Sequence, residues 1–168
     1  FQLYLRDLTD LSTRVLPGAN NAVALGFSPN GKEIVFVAGR ELKRMALDAT
    51  ESQVIASLPD GFVGGASWGT DDNIVVTVSS TVLTVPASGG VPTSLFPADT
   101  AGFQFTGVQP WPRERVLLYT RAAQAKDPWI EWRSLESNRV KPVMAGSTPV
   151  YLAAQRMLLL VRPDGALM

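Results

Sequence analysis

Apolar residues in this chain come in short runs, and glycine, proline or polar turns interrupt them every few positions. The runs 34-IVFVA-38, 74-IVVTV-78 and 116-VLLYT-120 favour Val, Ile, Leu, Phe and Thr, residues suited to a pleated strand. Twelve prolines and fourteen glycines supply the punctuation. Helical patterning is weak. The best helical stretch, 152-LAAQRMLLLV-161, is made of good helix formers, and 122-AAQAK-126 is long enough for a single turn. The pattern predicts many short strands and little else.

The strands repeat. Set beside 67-SWGTDDNIVVTVSS-80, the stretch 26-GFSPNGKEIVFVAG-39 brings Phe27 onto Trp68 and Ile34-Val35-Phe36 onto Ile74-Val75-Val76. A second strand follows in each copy, 42-LKRMALD-48 and 82-VLTVPAS-88, and then another, 53-QVIASL-58 and 93-TSLFP-97. A third copy runs through 103-FQFTGVQPWPRERVLLYT-120, 129-WIEWRSLE-136 and 139-RVKPVM-144. A fourth opens at 149-PVYLAAQRMLLLVRPDG-165, where 158-LLL-160 takes the place of 34-IVF-36, so the helical-looking stretch reads as a strand. Units of about 40–45 residues with four short strands each are the signature of a β-propeller blade. The expected fold is therefore all-β: a β-propeller of four-stranded antiparallel blades, about four blades' worth in one domain spanning 1–168. Whole blades fall at about 20–58, 62–97 and 101–145, with half blades at 3–17 and 148–168. The first half supplies outer strands and the last supplies inner ones.

Within the second unit, 65-GASWG-69 fits Gly-x-Ser-x-Gly, the nucleophile elbow of serine hydrolases. That motif needs a strand-to-helix turn and a histidine to take the hydroxyl proton. Here a strand follows, and the chain has no histidine. The repeat accounts for the same residues as an innermost strand and its turn. Small residues suit strands crowded round a channel, and Trp68 is expected to plug the gap between blades, as Phe27 does one blade earlier. In 28-SPNG-31, Pro29 presets φ at the first corner of the turn, and Asn30-Gly31 tolerates a left-handed backbone at the second.

The stretch 27-FSPNGKEIVFVAGRELKRMALD-48 resembles the Ser-Pro-Asp-Gly repeat of TolB-like propellers. The wider layout comprises 3-LYLRDLTDLSTRVLPGANNA-22, that blade, 86-PASGGVPTSL-95 and 163-PDGALM-168. It is similar to the propeller that follows the kinase domain and membrane segment of many bacterial serine/threonine protein kinases. Three departures stand out. The second copy has Gly-Thr-Asp-Asp at the turn, 110-PWPRER-115 has lost the turn glycine, and Asn30 replaces the usual Asp. The resemblance implies a non-catalytic scaffold for protein or ligand interaction, the sensor part of a larger signalling protein in a periplasmic or other extracytoplasmic setting. The kinase motifs themselves are absent from this chain. A propeller fragment of a hydrolase or lyase, and a remnant with no selected ligand, are the alternatives.

Composition narrows the chemistry. At 168 residues, 46% hydrophobic and 18% charged, the chain has material for a real core. Fifteen basic residues balance fifteen acidic ones with no basic patch, which argues against nucleic acid or an anionic membrane as partner. No apolar run reaches membrane-spanning length, and the N-terminus lacks a signal-peptide layout. Opening on Phe rather than Met reads as a segment of something longer. Without cysteine there are no disulfides or thiolate metal sites; with histidine also absent, no catalytic residue, cofactor or metal is expected. Asp71-Asp72, with Asp60 nearby, reads as turn residues bonding their own backbone rather than as a calcium site. Arg113-Glu114-Arg115 and Arg40-Glu41 read as solvated charges. In 127-DPWIEWRS-134, Trp129 and Trp132 point to opposite faces of a strand. Aromatics in short-stranded folds are mostly core, so both packed is the plainer reading; if instead one packs between blades and the other is exposed, Trp129, Trp132 and Arg133 form the candidate interaction surface. Half blades at both ends would leave two raw sheet edges. Because the halves are complementary, they are expected to pair, either within one chain as a closed four-bladed ring or, the reading favoured here, between two chains as a homodimer with a two-fold ring of eight blades. The stub 165-GALM-168 should then give way to 3-LYLR-6 and be displaced or disordered.

Overall fold

The computed structural model describes residues 2–111, 115–123, 126–152 and 157–168, with Lys126 described by its backbone alone. The described elements are all strands. β1 (Gln2–Arg6) pairs with β2 (Thr13–Asn20) as a two-stranded sheet. Three four-stranded blades follow. The first contains β3 (Ala22–Phe27), β4 (Glu33–Ala38), β5 (Glu41–Ala46) and β6 (Gln53–Ser57). The second contains β7 (Val63–Trp68), β8 (Asn73–Val78), β9 (Thr81–Pro86) and the short β10 (Thr93–Ser94). The third contains β11 (Gln104–Trp111), β12 (Val116–Ala123), β13 (Lys126–Ser134) and β14 (Val140–Ala145). β15 (Ser147–Leu152) and β16 (Met157–Val161) form a last pair. Every sheet is antiparallel and runs in chain order, from the innermost strand outward in each whole blade.

The second strand of each blade explains the continuous apolar runs. Alternate side chains of β4 serve two different neighbours. Ile34 and Phe36 pack with Leu16 and Ala19 of the leading half blade, whereas Val35 and Val37 pack with Ala66, Trp68 and Ile74 of the second blade. β8 repeats this: Ile74, Val76 and Val78 face blade one, and Val75 faces Phe105 and Leu117 of blade three. Both faces of these strands are buried, so a polar alternation has no place in them.

The innermost strands stack as an arc, β3 on β7, β7 on β11 and β11 on β15. Among the described residues β15 does not come round to pack on β3, so the arc stays open. The approach is close. A Cβ at Gly64 would collide with the Phe105 carbonyl oxygen, and one at Gly65 would lie 3.2 Å from the Gly107 nitrogen. Glycine at these positions is a packing requirement.

The turn after the first innermost strand is held by local hydrogen bonds. In the first blade the Gly31 amide donates to the Ser28 carbonyl at 2.9 Å, and the Glu33 amide donates to the Ser28 hydroxyl at 2.9 Å. Asn30 Oδ1 accepts from the Lys32 amide at 2.9 Å. Gly31 has φ 68°, and the equivalent positions Asp72 and Arg115 have φ 58° and 49°.

Two sequence expectations are corrected. The helical turn at 122–126 is not formed: Ala122 and Ala123 end β12 and residue 126 opens β13, while 124–125 lie outside the described residues. Ala153 and Ala154, expected on an inner strand, also lie outside the described residues. Phe27 does not plug a gap. It is 51% exposed where the equivalent Trp68 is 9% exposed, because blade one covers Trp68 whereas only outer strands precede β3. In the single chain the tail is ordered along β16. Leu160 and Met168 exchange backbone hydrogen bonds at 2.9 Å, and the Arg162 amide donates to Ala166 at 2.8 Å. With no other strand alongside β16, its open edge takes the nearest extended segment.

Candidate interaction surface

The densest polar chemistry lies between the second and third blades. Pairing of β12 with β13 sets Tyr119 opposite Glu131 and Arg121 opposite Trp129 on the face turned towards blade two. Tyr119 is fully buried against Phe96 and Phe105, with ring centroids 5.9 and 5.0 Å away. Its hydroxyl donates to Glu131 Oε2 at 2.9 Å. Burial pushes the Tyr119 pKa up to about 12, with Glu131 adding to the shift and Arg133 opposing it. Arg121 donates through Nη2 and Nε to Asp99 Oδ2 at 2.7 and 3.0 Å, and its Nη1 lies 3.7 Å from Glu131. The same guanidinium sits 3.5 Å above the Phe103 ring, and that of Arg133 sits 3.9 Å above Phe96. Two carboxylates and two guanidiniums thus neutralise one another in a half-buried cluster that ties the 99–103 loop to blade three.

Around this cluster the loops form one rim. Ser79 donates its amide to the Phe62 carbonyl at 2.7 Å and accepts from the Phe105 amide at 2.9 Å. The Asp99 amide donates to Ser80 at 3.0 Å. Phe62 and Trp129 stand on this rim, 55% and 47% exposed.

The structure separates the three residues singled out in β13. Trp129 is at the surface. Trp132 lies on the opposite face, half-buried against the cluster of Leu118, Ile130 and Leu160, with Lys141 Nζ 5.7 Å from its ring centre. Arg133 shares a face with Trp129 but is occupied: it covers Phe96 and donates to Asn138 Oδ1 at 3.0 Å. Phe62, Asp99 and Arg121 were not singled out from sequence. They lie in loops and at a strand end with no shared motif, and only folding brings them together.

The other concave feature is the inner face of the arc. A cleft of about 570 Å³ runs along β3, β7, β11 and β15, lined by residues including Phe27, Ser67, Gln109 and Pro149. Ser67 is in mid-strand opposite Val75, so the strand-to-helix elbow is not formed. Trp68 Nε1 is buried and lacks a hydrogen-bond partner among the described residues. The acids weighed as a calcium site are dispersed. Asp60 pairs with Arg40 at 3.1 Å, and Asp71 accepts from the Asn73 amide at 3.3 Å. Glu41 pairs with Lys43 at 2.8 Å and Arg115 with Glu136 at 3.6 Å; Arg113 and Glu114 lie outside the described residues.

The sequence matches no protein-family model and no curated protein. Its backbone does match solved structures. TolB from Acinetobacter baumannii superposes with a TM-score of 0.74 at 17% identity over 94% of this chain. The fold is that of the TolB-like β-propellers. A nidogen/laminin complex contains a chain similar to this propeller at TM-score 0.71 and 17% identity over 89% of its length. The extracellular domain of a hybrid two-component system from B. thetaiotaomicron matches 94% of this chain at TM-score 0.57 and 12% identity. The propeller spans 42%, 60% and 21% of those three chains respectively, so less than two thirds of each.

Proposed function

We propose that this propeller arc is a non-catalytic scaffold that binds protein partners through the rim bearing Trp129 and Phe62, as the sensor part of a larger extracytoplasmic signalling protein. The observation carrying the reading is Trp129. It stays 47% exposed while Ile130, its neighbour in β13, is fully buried. A tryptophan on a paired strand is a rigid anchor, and little freedom remains to be lost when a partner covers it. The extracellular setting of the two-component domain with a similar fold supports the location.

The test selects a displayed random-peptide library against the chain and measures the binders again on variants. Trp129→Ala or Phe62→Ala is expected to weaken them at least tenfold, about 1.4 kcal/mol, with Trp132→Ala as the control on the opposite face. Binders indifferent to both rim aromatics would remove the assignment. The non-catalytic part is tested separately with a fluorophosphonate reagent. Labelling of Ser67 would make the chain a hydrolase fragment instead.

A further inference from the structure

Strand register identifies equivalent residues near the end of each innermost strand. Phe27 lies opposite Ile34, Trp68 opposite Ile74 and Pro110 opposite Leu117. Ile74 and Leu117 each follow the left-handed turn position, Asp72 or Arg115, by two residues, and each turns towards the preceding blade. Pro110 therefore takes the place of Trp68. The Trp68 indole fills the seam between blades one and two, whereas only a small ring stands at that place in the seam between blades two and three. The missing volume is not made up. A cavity of about 490 Å³ opens there, walled by Val75, Leu95, Leu117 and Leu135 together with Pro110. That is a size usual for small-molecule sites, and its mostly apolar wall is usual for them too. Blades two and three alone line it, so neither end of the chain contributes.

Two opposite charges stand at the mouth. Asp71 and Arg115 are both exposed and line the same cavity, yet among the described residues they do not pair with each other. Arg115 reaches Glu136 through Nε at 3.6 Å, an exposed pair that holds it weakly. Its two terminal nitrogens stay available. Asp71 accepts from the Asn73 amide at 3.3 Å and from Asn73 Nδ2 at 3.1 Å, which uses only part of the capacity of a carboxylate.

We propose that this seam cavity binds a free aromatic α-amino acid. The ring takes the space that the Trp68 indole fills one blade earlier, against Pro110 and the aliphatic wall. The carboxylate pairs with Arg115 and the ammonium with Asp71. A free amino acid carries both charges on one carbon close to its ring, which matches a mouth with one group of each sign. A residue within a peptide has lost both charges and a terminal residue has lost one. A neutral aromatic gains the apolar contact alone. The site lies apart from the rim of Trp129 and Phe62, and the inference goes beyond the binding reading above and stands without it.

The experiment is equilibrium dialysis of radiolabelled L-tryptophan against the intact chain. Saturable binding with a dissociation constant below about 1 mM is expected. Tryptamine, which lacks the carboxylate, and desaminotryptophan, which lacks the ammonium, should each compete at least tenfold less well, and indole less well again. Arg115→Gln, a change at an exposed residue, should weaken binding at least tenfold with an unchanged far-ultraviolet circular dichroism spectrum. Pro110→Trp supplies the plug of the preceding seam and should abolish binding. Should that variant fail to fold, Thr84→Phe fills the same cavity from the facing wall with the same expected result. Absence of saturable binding up to about 1 mM overturns the proposal. Competition by indole equal to that of tryptophan overturns it too, as does binding that withstands either Arg115→Gln or the filling substitution.

Discussion

The left-handed turn position is held by Gly31, Asp72 and Arg115 in successive blades. A residue with a Cβ is strained there by roughly 1–2 kcal/mol, and glycine is not. Gly31→Val should therefore destabilise by about 1–3 kcal/mol, although open space surrounds the position and no clash contributes. Arg115→Gly should stabilise by up to about 1 kcal/mol, since relief of strain exceeds the added freedom of the unfolded chain. The Arg115–Glu136 pair lost with it is largely exposed and contributes little. Urea melts of both variants check the two signs, and a stabilised Gly31→Val would refute the turn. Tyr119 makes a second prediction. Its folded pKa of about 12 lies above the ordinary value of 10.0, so folding favours the protonated phenol. That contribution is complete below pH 10 and is lost as pH rises towards 12. The phenolate absorbance that Tyr119→Phe removes should appear only above pH 10, or only with alkaline unfolding. Tyr119→Phe should flatten that alkaline loss. A Tyr119 phenolate signal complete by pH 10 in the folded protein would contradict it. The Ser-Pro-Asn-Gly turn was legible because glycine and proline record backbone geometry. The same conformation at Asp72 and Arg115 left no trace, because neither residue type demands it.

Between elements, the energetic weight lies where one blade's inner strands meet the next. Trp68 fills that seam while leaving its indole N–H unpaired among the described residues. Trp68→Phe should thus cost little, under about 1.5 kcal/mol, because the orphan donor leaves along with the lost ring area. Trp68→Ala should cost about 3–5 kcal/mol through the cavity left behind. A Trp68→Phe loss as large as that of Trp68→Ala would contradict the low cost expected of the conservative change. Asp99→Asn removes the charge that holds Arg121 at 2.7 Å and should cost about 1–3 kcal/mol, loosening the 99–103 loop first. Hydrogen exchange at Ala101 and Gly102 reads that directly. Strand order followed from the repeat, even at 157–161, where composition alone favoured a helix. The repeat could not foretell the exposure of Phe27. It aligns a residue with its counterpart, whereas burial depends on which strands stand in front. The cluster of Asp99, Arg121 and Glu131 was hidden for a related reason: its members come from a loop and two strands and share no spacing.

At the scale of the molecule, the three whole blades and two half blades follow the number and order of the repeats. Sequence could not settle the curvature of the arc or the position of its tail, because both depend on contacts between blades and at open edges. Every sheet is assembled from strands adjacent along the chain, with no long crossover inside any blade. Loop closure is therefore cheap throughout, and folding can begin in any blade and spread to its neighbours. A chain leaving the ribosome can close each sheet soon after its last strand emerges, without waiting for the C-terminus. The same connectivity limits cooperativity. Damage to one seam can melt a terminal segment while the far end stays folded, so a single midpoint would describe only part of the chain. Pulled from its two ends, such an arc should lengthen in steps of one blade, each the release of about forty residues.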